Sequence, residues 1–403
     1  MINLEVPKKF SFVVGQARQV AEEVFRPISR TYDRAEHERP KELDMLAAAI
    51  EGLEESGNLS GAGASGVRRE DGPDAEANRN GGNLSTTLSI MELCWGDVGL
   101  LLSMPRQGLG NAAIASVADE EQAERFDGKW AAMAITEPEA GSDSAAIRTT
   151  AVLDGNEYVL NGNKIYVTAG ERADLLVVWA TLDPSQGRAA IKSFVVEREN
   201  PGLKLVRLEH KLGIRASDTA EFVLDDCRVP KENLLGSPEI ATERGFAGAM
   251  QTFDNTRPLV AAMAVGLTRA CLDETTSQLR AVGVEVDHAR PAATQTSAAA
   301  ELLAMEADYE AARLLTLQAA WMADNAKPNS LQASMAKAKA GRTCVDVALR
   351  CVALCGSVGY GETELLEKWA RDAKILDIFE GTQQIQLLII ARRLLGKSSA
   401  ELR

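Results

Sequence analysis

Four short segments bring together residue types that can do chemistry. The first, Ile135–Asp143, reads ITEPEAGSD. Pro138 forces Glu137 towards an extended backbone and Gly141 permits a tight turn. Thr136, Ser142 and the neighbouring N–H groups can then aim at one ligand, or simply close a strand with hydrogen bonds. The second, KIYVTAG at Lys164–Gly170, ends a strand at Thr168, whose hydroxyl suits a ligand or an edge contact. The third, QTFDNTRPLVAAMAV at Gln251–Val265, sets Asp254 and Arg257 just before Pro258, an expected first helical turn. That pair is either a ligand contact or a surface ion pair. The fourth runs from Cys355 to Gln386. There RDAKILDIFE predicts a helix whose apolar face (Ile375, Ile378, Phe379) leads to Glu380, before Gly381 and Thr382 break it. A carboxylate at the end of an apolar face loses water, so its pKa rises, which is what a general base working near neutrality needs. The alternative is a solvated loop glutamate.

The elements that must position these segments follow from periodicity. Residues 1 to about 130 read as helices, with Val13, Val14, Ala17, Val20, Val24 and Phe25 at i/i+3/i+4 spacing and a second helix around Leu43–Leu53. Gly57–Asn83 holds almost no large apolar residue and predicts a long exposed loop. Helical patterns return at LSTTLSIMELCWGDVGLLLSM and ADEEQAERF. From about 131 to 240 the period becomes two. YVLNGNKIYV predicts a hairpin around Asn161-Gly162, and DLLVVWATL, IKSFVVERE, LKLVRLEHK and AEFVLDDCRV add strands. From 241 to 403 long Ala/Leu-rich helices return. The fold class is therefore α+β: an N-terminal helical domain (1–130), a middle antiparallel β domain (131–240) and a C-terminal helical bundle (241–403).

Composition bounds the function. The chain has 403 residues, 45% apolar and 25% charged, with 44 Lys+Arg against 58 Asp+Glu and a net charge of −14. At roughly 100–200 residues per domain that allows two to four domains with a sizeable core. The acidic field disfavours nucleic acid but leaves room for a local basic pocket. No signal-peptide core opens the chain, and Ile385–Leu395 is too short to span a membrane and carries Arg392 and Arg393. That stretch reads as a buried helix, and the expected location is cytoplasmic. The six cysteines and three histidines lack zinc spacing. Cys344, Cys351 and Cys355 share a helix face and read as small core residues, and no metal is expected. No GxGxxG, P-loop or GxSxG motif supports a Rossmann, nucleotide-triphosphate or serine-hydrolase site.

ITEPEAGSD, EHKLGIRASDTAEFVLDDCRVPKENLLG and RDAKILDIFEGTQQIQ, in this order, resemble signatures of the acyl-CoA dehydrogenase family from about residue 85 to 396. The resemblance implies helical, β and four-helix-bundle domains, FAD as cofactor, an acyl-CoA substrate and electron-transferring flavoprotein as acceptor. It makes Glu380 the base that takes the α-proton while the β-hydrogen leaves as hydride. Thr136 and Thr168 match hydroxyl contacts to the flavin ring, and Tyr166 stands where many relatives carry a stacked Trp and can still pack on the ring. Ser142 lies by the pyrophosphate and substrate, and Thr382 and Gln384 match the adenosine side. Phe253, Asp254, Arg257 and Gly381 match the substrate channel and thioester contacts. A second family branch places its base where Thr256 stands here, and Thr256 cannot serve. Two departures stand out. VGVEVDHARPAATQ retains Gln295 but lacks the family's Arg-x-x-Phe-Gly, and ALCGSVGYG replaces a Gln-containing glycine loop. Both are pieces that a subunit lends to its neighbour's flavin. The expectation is a hetero-tetramer with a related chain, or a homo-tetramer in which Arg280, Arg290 or backbone replaces the clamp. Rival readings are an acyl-CoA oxidase-like enzyme and a non-catalytic subunit of a flavoprotein complex.

Overall fold

The computed structural model describes residues 6–55, 81–105, 109–240, 247–398 and 401; the side chains of 49–55, 109 and 247–255 are outside this set. Helices come first: α1 (Ser11–Val20), α2 (Arg26–Arg34), α3 (Lys41–Glu55), α4 (Gly82–Gly96), α5 (Val98–Ser103), α6 (Leu109–Val117) and α7 (Glu120–Arg125). Most of the loop expected at Gly57–Asn83 lies outside the described residues. Its last two positions belong to α4, and Asn83 is buried there. Asp97 separates α4 from α5, its Oδ1 accepting Leu100 N–H at 2.8 Å as an N-cap. A capping box of Asp119 and Gln122 starts α7.

Seven strands follow: β1 (Ala131–Ala134), β2 (Thr150–Asp154), β3 (Glu157–Thr168), β4 (Leu175–Thr181), β5 (Ile191–Glu197), β6 (Leu203–Leu208) and β7 (Thr219–Pro230). They form one sheet in the order β1-β4-β2-β3-β7-β6, with β5 also on β4. Pairing is antiparallel for β2–β3, β3–β7, β6–β7 and β4–β5, and parallel where β4 meets β1 and the start of β2. The hairpin expected at Asn161-Gly162 is not there. β3 runs straight through, the β2–β3 turn falls at Gly155-Asn156, and the register on β7 slips between Leu160 and Gly162. The Asn-Gly pair is a bulge, and a Cβ on Gly162 would lie 2.4 Å from Thr149 Oγ1.

Helices return as α8 (Ala247–Ala281), α9 (Ser297–Asp324), α10 (Ser330–Tyr360), α11 (Leu366–Leu376) and α12 (Gln383–Leu395). Pro258 lies well inside α8 rather than in its first turn. One apolar core joins both helical regions: Phe25, Leu43, Met91 and Leu100 pack with Val265, Cys271, Cys344, Cys351 and Trp369. All described cysteines are free; five are buried and Cys355 is half-buried, as expected of core residues. A second cluster, around Leu160, Phe194 and Phe222, fills the sheet. α12 departs from its expected burial. Gln386 is its only buried residue, while Leu387, Leu388, Leu394 and Leu395 are exposed.

The three regions meet at a buried network. Lys368 Nζ bonds Asp97 Oδ2 and Asp372 Oδ2, each at 2.6 Å, and all three side chains are buried. Ser29 Oγ also donates to Asp97, and Asp372 Oδ1 accepts Ile214 N–H from the β6–β7 connection at 2.5 Å. Nearby, Arg26 lies between the Trp95 and Trp369 rings.

Candidate active site

Glu380 sits where the sequence leaves a helix. α11 stops at Leu376, and the Ile378 and Phe379 N–H groups close a last turn on Ile375 O at 2.9 and 3.0 Å. Ile378, expected on the apolar face, is exposed instead, while Phe379 packs against the helical core. Glu380 and Gly381 then take φ of 54° and 93°, and Thr382 caps α12 by accepting Ile385 N–H at 3.4 Å. A left-handed non-glycine residue costs on the order of 1–3 kcal/mol and persists only where the surroundings hold it. Two fully buried side chains do so. Gln386 Nε2 donates to the carbonyls of Glu380 and Gly381 at 3.1 and 3.2 Å, and Lys337 Nζ donates to Gly381 O at 2.7 Å.

The Glu380 carboxylate, half-buried, accepts the Thr256 hydroxyl at 2.7 Å on Oε2. Burial raises its pKa; the Thr256 hydrogen bond and the charges of Arg257 and Lys337 oppose this, and the net position is above the usual carboxylate value. Burial in turn lowers Lys337 to about 8. Arg257 is 3% exposed, so it is no surface ion pair. Thr256, unable to act as a base, is the carboxylate's hydrogen-bond donor. Sequence reading overlooked that role, and it overlooked Lys337 and Gln386 altogether. Residues Phe253 and Asp254 fall in α8, with side chains outside the described set.

The sheet presents the other candidates. Thr136 O accepts Ile165 N–H at 2.9 Å, which ties the ITEPEAGSD loop to β3. Thr136 and Thr168 are half-buried, Ser142 is exposed, and Thr168 ends β3 opposite Thr219. Tyr166 is 61% exposed at a left-handed φ of 61°. Beneath this rim lies a second feature missed in the sequence. Buried Glu137 accepts from Lys164 Nζ (2.7 Å), Thr149 Oγ1 (2.6 Å) and the N–H groups of Arg148 and Thr149 (2.6 and 3.0 Å). Lys164 also donates to Ile135 O at 3.1 Å. Burial pushes the Glu137 carboxyl up, but Lys164 and these donors overcome it and hold the pKa below the usual value; burial lowers Lys164 to about 8. On the helical side Thr382 is half-buried and Gln384 exposed in the first turn of α12. The structure thus makes two groups. Glu380, Gly381 and Thr382 gather with Thr256, Arg257 and Lys337, and Thr136 gathers with Tyr166 and Thr168. The bond from Ile214 to Asp372 fixes α11 to the β6–β7 connection.

Comparison with known proteins settles the family. Residues 132–227 match the acyl-CoA dehydrogenase middle domain and 243–395 the acyl-CoA dehydrogenase C-terminal domain. A curated relative, "Acryloyl-CoA reductase (NADH)" of Anaerotignum propionicum, is 34% identical over 94% of this chain and 93% of its own. The chain belongs to the acyl-CoA dehydrogenase family. The mitochondrial short-chain specific acyl-CoA dehydrogenase of Rattus norvegicus is 33% identical over 98% of this chain and 92% of its own. The solved butyryl-CoA dehydrogenase of Megasphaera elsdenii superposes with a TM-score of 0.83 at 30% identity, covering 98% and 100% of the two chains. Acyl-CoA dehydrogenases are FAD-dependent oxidoreductases acting on CH–CH bonds. The rim fits such a group. It offers an exposed aromatic ring on Tyr166 and hydroxyls on Thr136 and Thr168, on a strand and a loop start pinned through Lys164, with Ser142 exposed further along the loop. At the start of α12, Gln383 Oε1 is buried without a hydrogen-bond partner among the described residues.

Proposed function

We propose that this chain oxidises a short acyl-CoA thioester to the 2,3-enoyl product, with Glu380 as the base. The observation that carries the reading is the Glu380 carboxylate, held on a strained turn with a raised pKa and accepting the Thr256 hydroxyl. Bound FAD supplies the hydride acceptor for the β-hydrogen. Glu380 takes the α-proton, and its backbone N–H, fixed by the same turn, donates to the thioester oxygen as enolate charge develops. Thr136, Tyr166, Thr168 and Ser142 hold the flavin and Thr382 and Gln384 its adenosine side, while Phe253, Asp254, Arg257 and Gly381 line the acyl-CoA path. The names of the relatives, acryloyl, short-chain and butyryl, support a small acyl group. The first of them also supports trying the reaction in the reductive direction.

Assembly belongs to the same proposal. Four exposed leucines on α12 are surface that a partner chain would cover. Arg290 donates one guanidinium nitrogen, Nη2, to Thr294 O within its own loop, and Gln295 bonds Asp287 and Arg290 backbone. With Gln295 and one Arg290 nitrogen held inside this loop and no Arg-x-x-Phe-Gly in the sequence, we take a related partner chain as the source of the missing flavin clamp. Electron-transferring flavoprotein as acceptor and a cytoplasmic location complete the reading.

Glu380→Gln is the decisive variant. It should stay yellow and lose about 10²–10⁴-fold or more in turnover with short acyl-CoAs and a dye acceptor. A normal rate would move the base elsewhere. Peroxide release under air would favour the oxidase reading, and a colourless protein that never bleaches with acyl-CoA the non-catalytic one.

A further inference from the structure

Two of the three histidines in the chain converge with a glutamate far from Glu380. His37 follows the end of α2, and His210 lies after β6, on the β6–β7 connection. Their rings stand 4.9 Å apart at 56°, and His210 Nδ1 lies 2.9 Å from Glu36 Oε2. One ligand atom from each of Glu36, His37 and His210 falls within 4.8 Å of the others. The other Glu36 oxygen is fixed by Lys211 N–H at 2.8 Å. His37 has the least ordinary setting of the three. Its φ is 73°, and both its ring nitrogens are enclosed without a hydrogen-bond partner among the described residues. A strained residue with two unanswered polar atoms costs stability unless something else answers them.

We propose that Glu36, His37 and His210 form a site for a divalent transition cation of the zinc type, which staples the N-terminal helices to the β unit. Two imidazoles and a carboxylate are a common zinc donor set, and ligand atoms on a tetrahedral ion stand about 3.3 Å apart. Glu36 and His210 already stand near that separation. A modest approach of His37 closes the triangle, and His210, whose side chain is 83% exposed, leaves the fourth position to water. Lys211, next in sequence to His210, turns its Nζ to Ser217 O at 2.7 Å. Because the ligands come from segments 174 positions apart, binding would select the docked arrangement of the two regions.

The test uses the full chain, stripped with EDTA and titrated with ZnCl2 by calorimetry, with thermal unfolding followed in parallel. The expected result is one Zn2+ per chain and a Tm that rises with added metal. His210→Gln changes an exposed side chain, and His37→Asn keeps a residue that tolerates the left-handed backbone. Each should weaken binding by more than the about 10–100-fold that losing a ligand's supporting partner costs, and abolish the Tm response. No saturable binding by the parent chain overturns the proposal. Undiminished binding in either variant does the same, because the metal would then sit on thiols or surface carboxylates. None of these readouts depends on dehydrogenase activity.

Discussion

At the scale of single residues, the candidate site is a carboxylate whose pKa burial raises, against the pull of three neighbours on two other helices. Thr256 and Arg257 reach it from α8 and Lys337 from α10, and each pulls the Glu380 pKa down against burial. Thr256→Val and Lys337→Met should therefore each move the acid limb of kcat/KM to higher pH, since the proton-accepting form is lost as pH falls through a pKa that is now higher. A fall in rate with an unmoved pH profile would reduce both residues to packing. Gly381→Ala tests the turn itself. At φ 93° the new Cβ would meet Gln386 Nε2 at 2.4 Å, so strain of about 1–3 kcal/mol should appear as a lower unfolding midpoint together with a loss of activity.

At the scale of elements, the Glu137–Lys164 clip keeps the ITEPEAGSD loop against β3. Lys164→Met leaves a buried carboxylate without its cation, and denaturant unfolding should show a loss of about 3–5 kcal/mol. The sign of its pH dependence follows from the depressed Glu137 pKa: the pair stabilises at neutral pH, and that contribution disappears as pH falls below the ordinary carboxylate range. An intact clip giving the same acid-unfolding midpoint as the variant would refute this. Here the legibility of the sequence divides cleanly. Period-two runs located β4 to β7 and the extent of β3, and the Gly381-Thr382 break after an apolar helix face located Glu380, because both are local patterns. The clip joins residues 27 apart that lie in two different segments, and no local pattern pairs them; β1 is a four-residue Ala/Met run with no alternation. The Asn-Gly pair suggested a turn on composition alone, yet β7 continues alongside and pairing across the bulge keeps the chain extended. Likewise α12 looked buried because it is apolar, and only packing reveals that its leucines face outward.

At the scale of the whole molecule, Lys368 joins all three regions through Asp97 and Asp372, the latter held by Ile214. Lys368→Met should strand two buried carboxylates and lower stability by about 3–5 kcal/mol, whereas Arg34→Ala, in an exposed pair with Glu362, should change it by less than about 1 kcal/mol. Comparable effects of the two on chemical denaturation would remove the network from its proposed place. The shared helical core has a further consequence, for biosynthesis. Asp33 bonds Arg371 and Arg30 bonds Glu367, partners 338 and 337 positions apart. While the ribosome is still making the final helices, the first ones have no surface to rest on, although the intervening sheet can already close. Nascent chains halted before Leu366 should thus carry a folded sheet beside unprotected apolar helices, and need a chaperone until the last segment emerges.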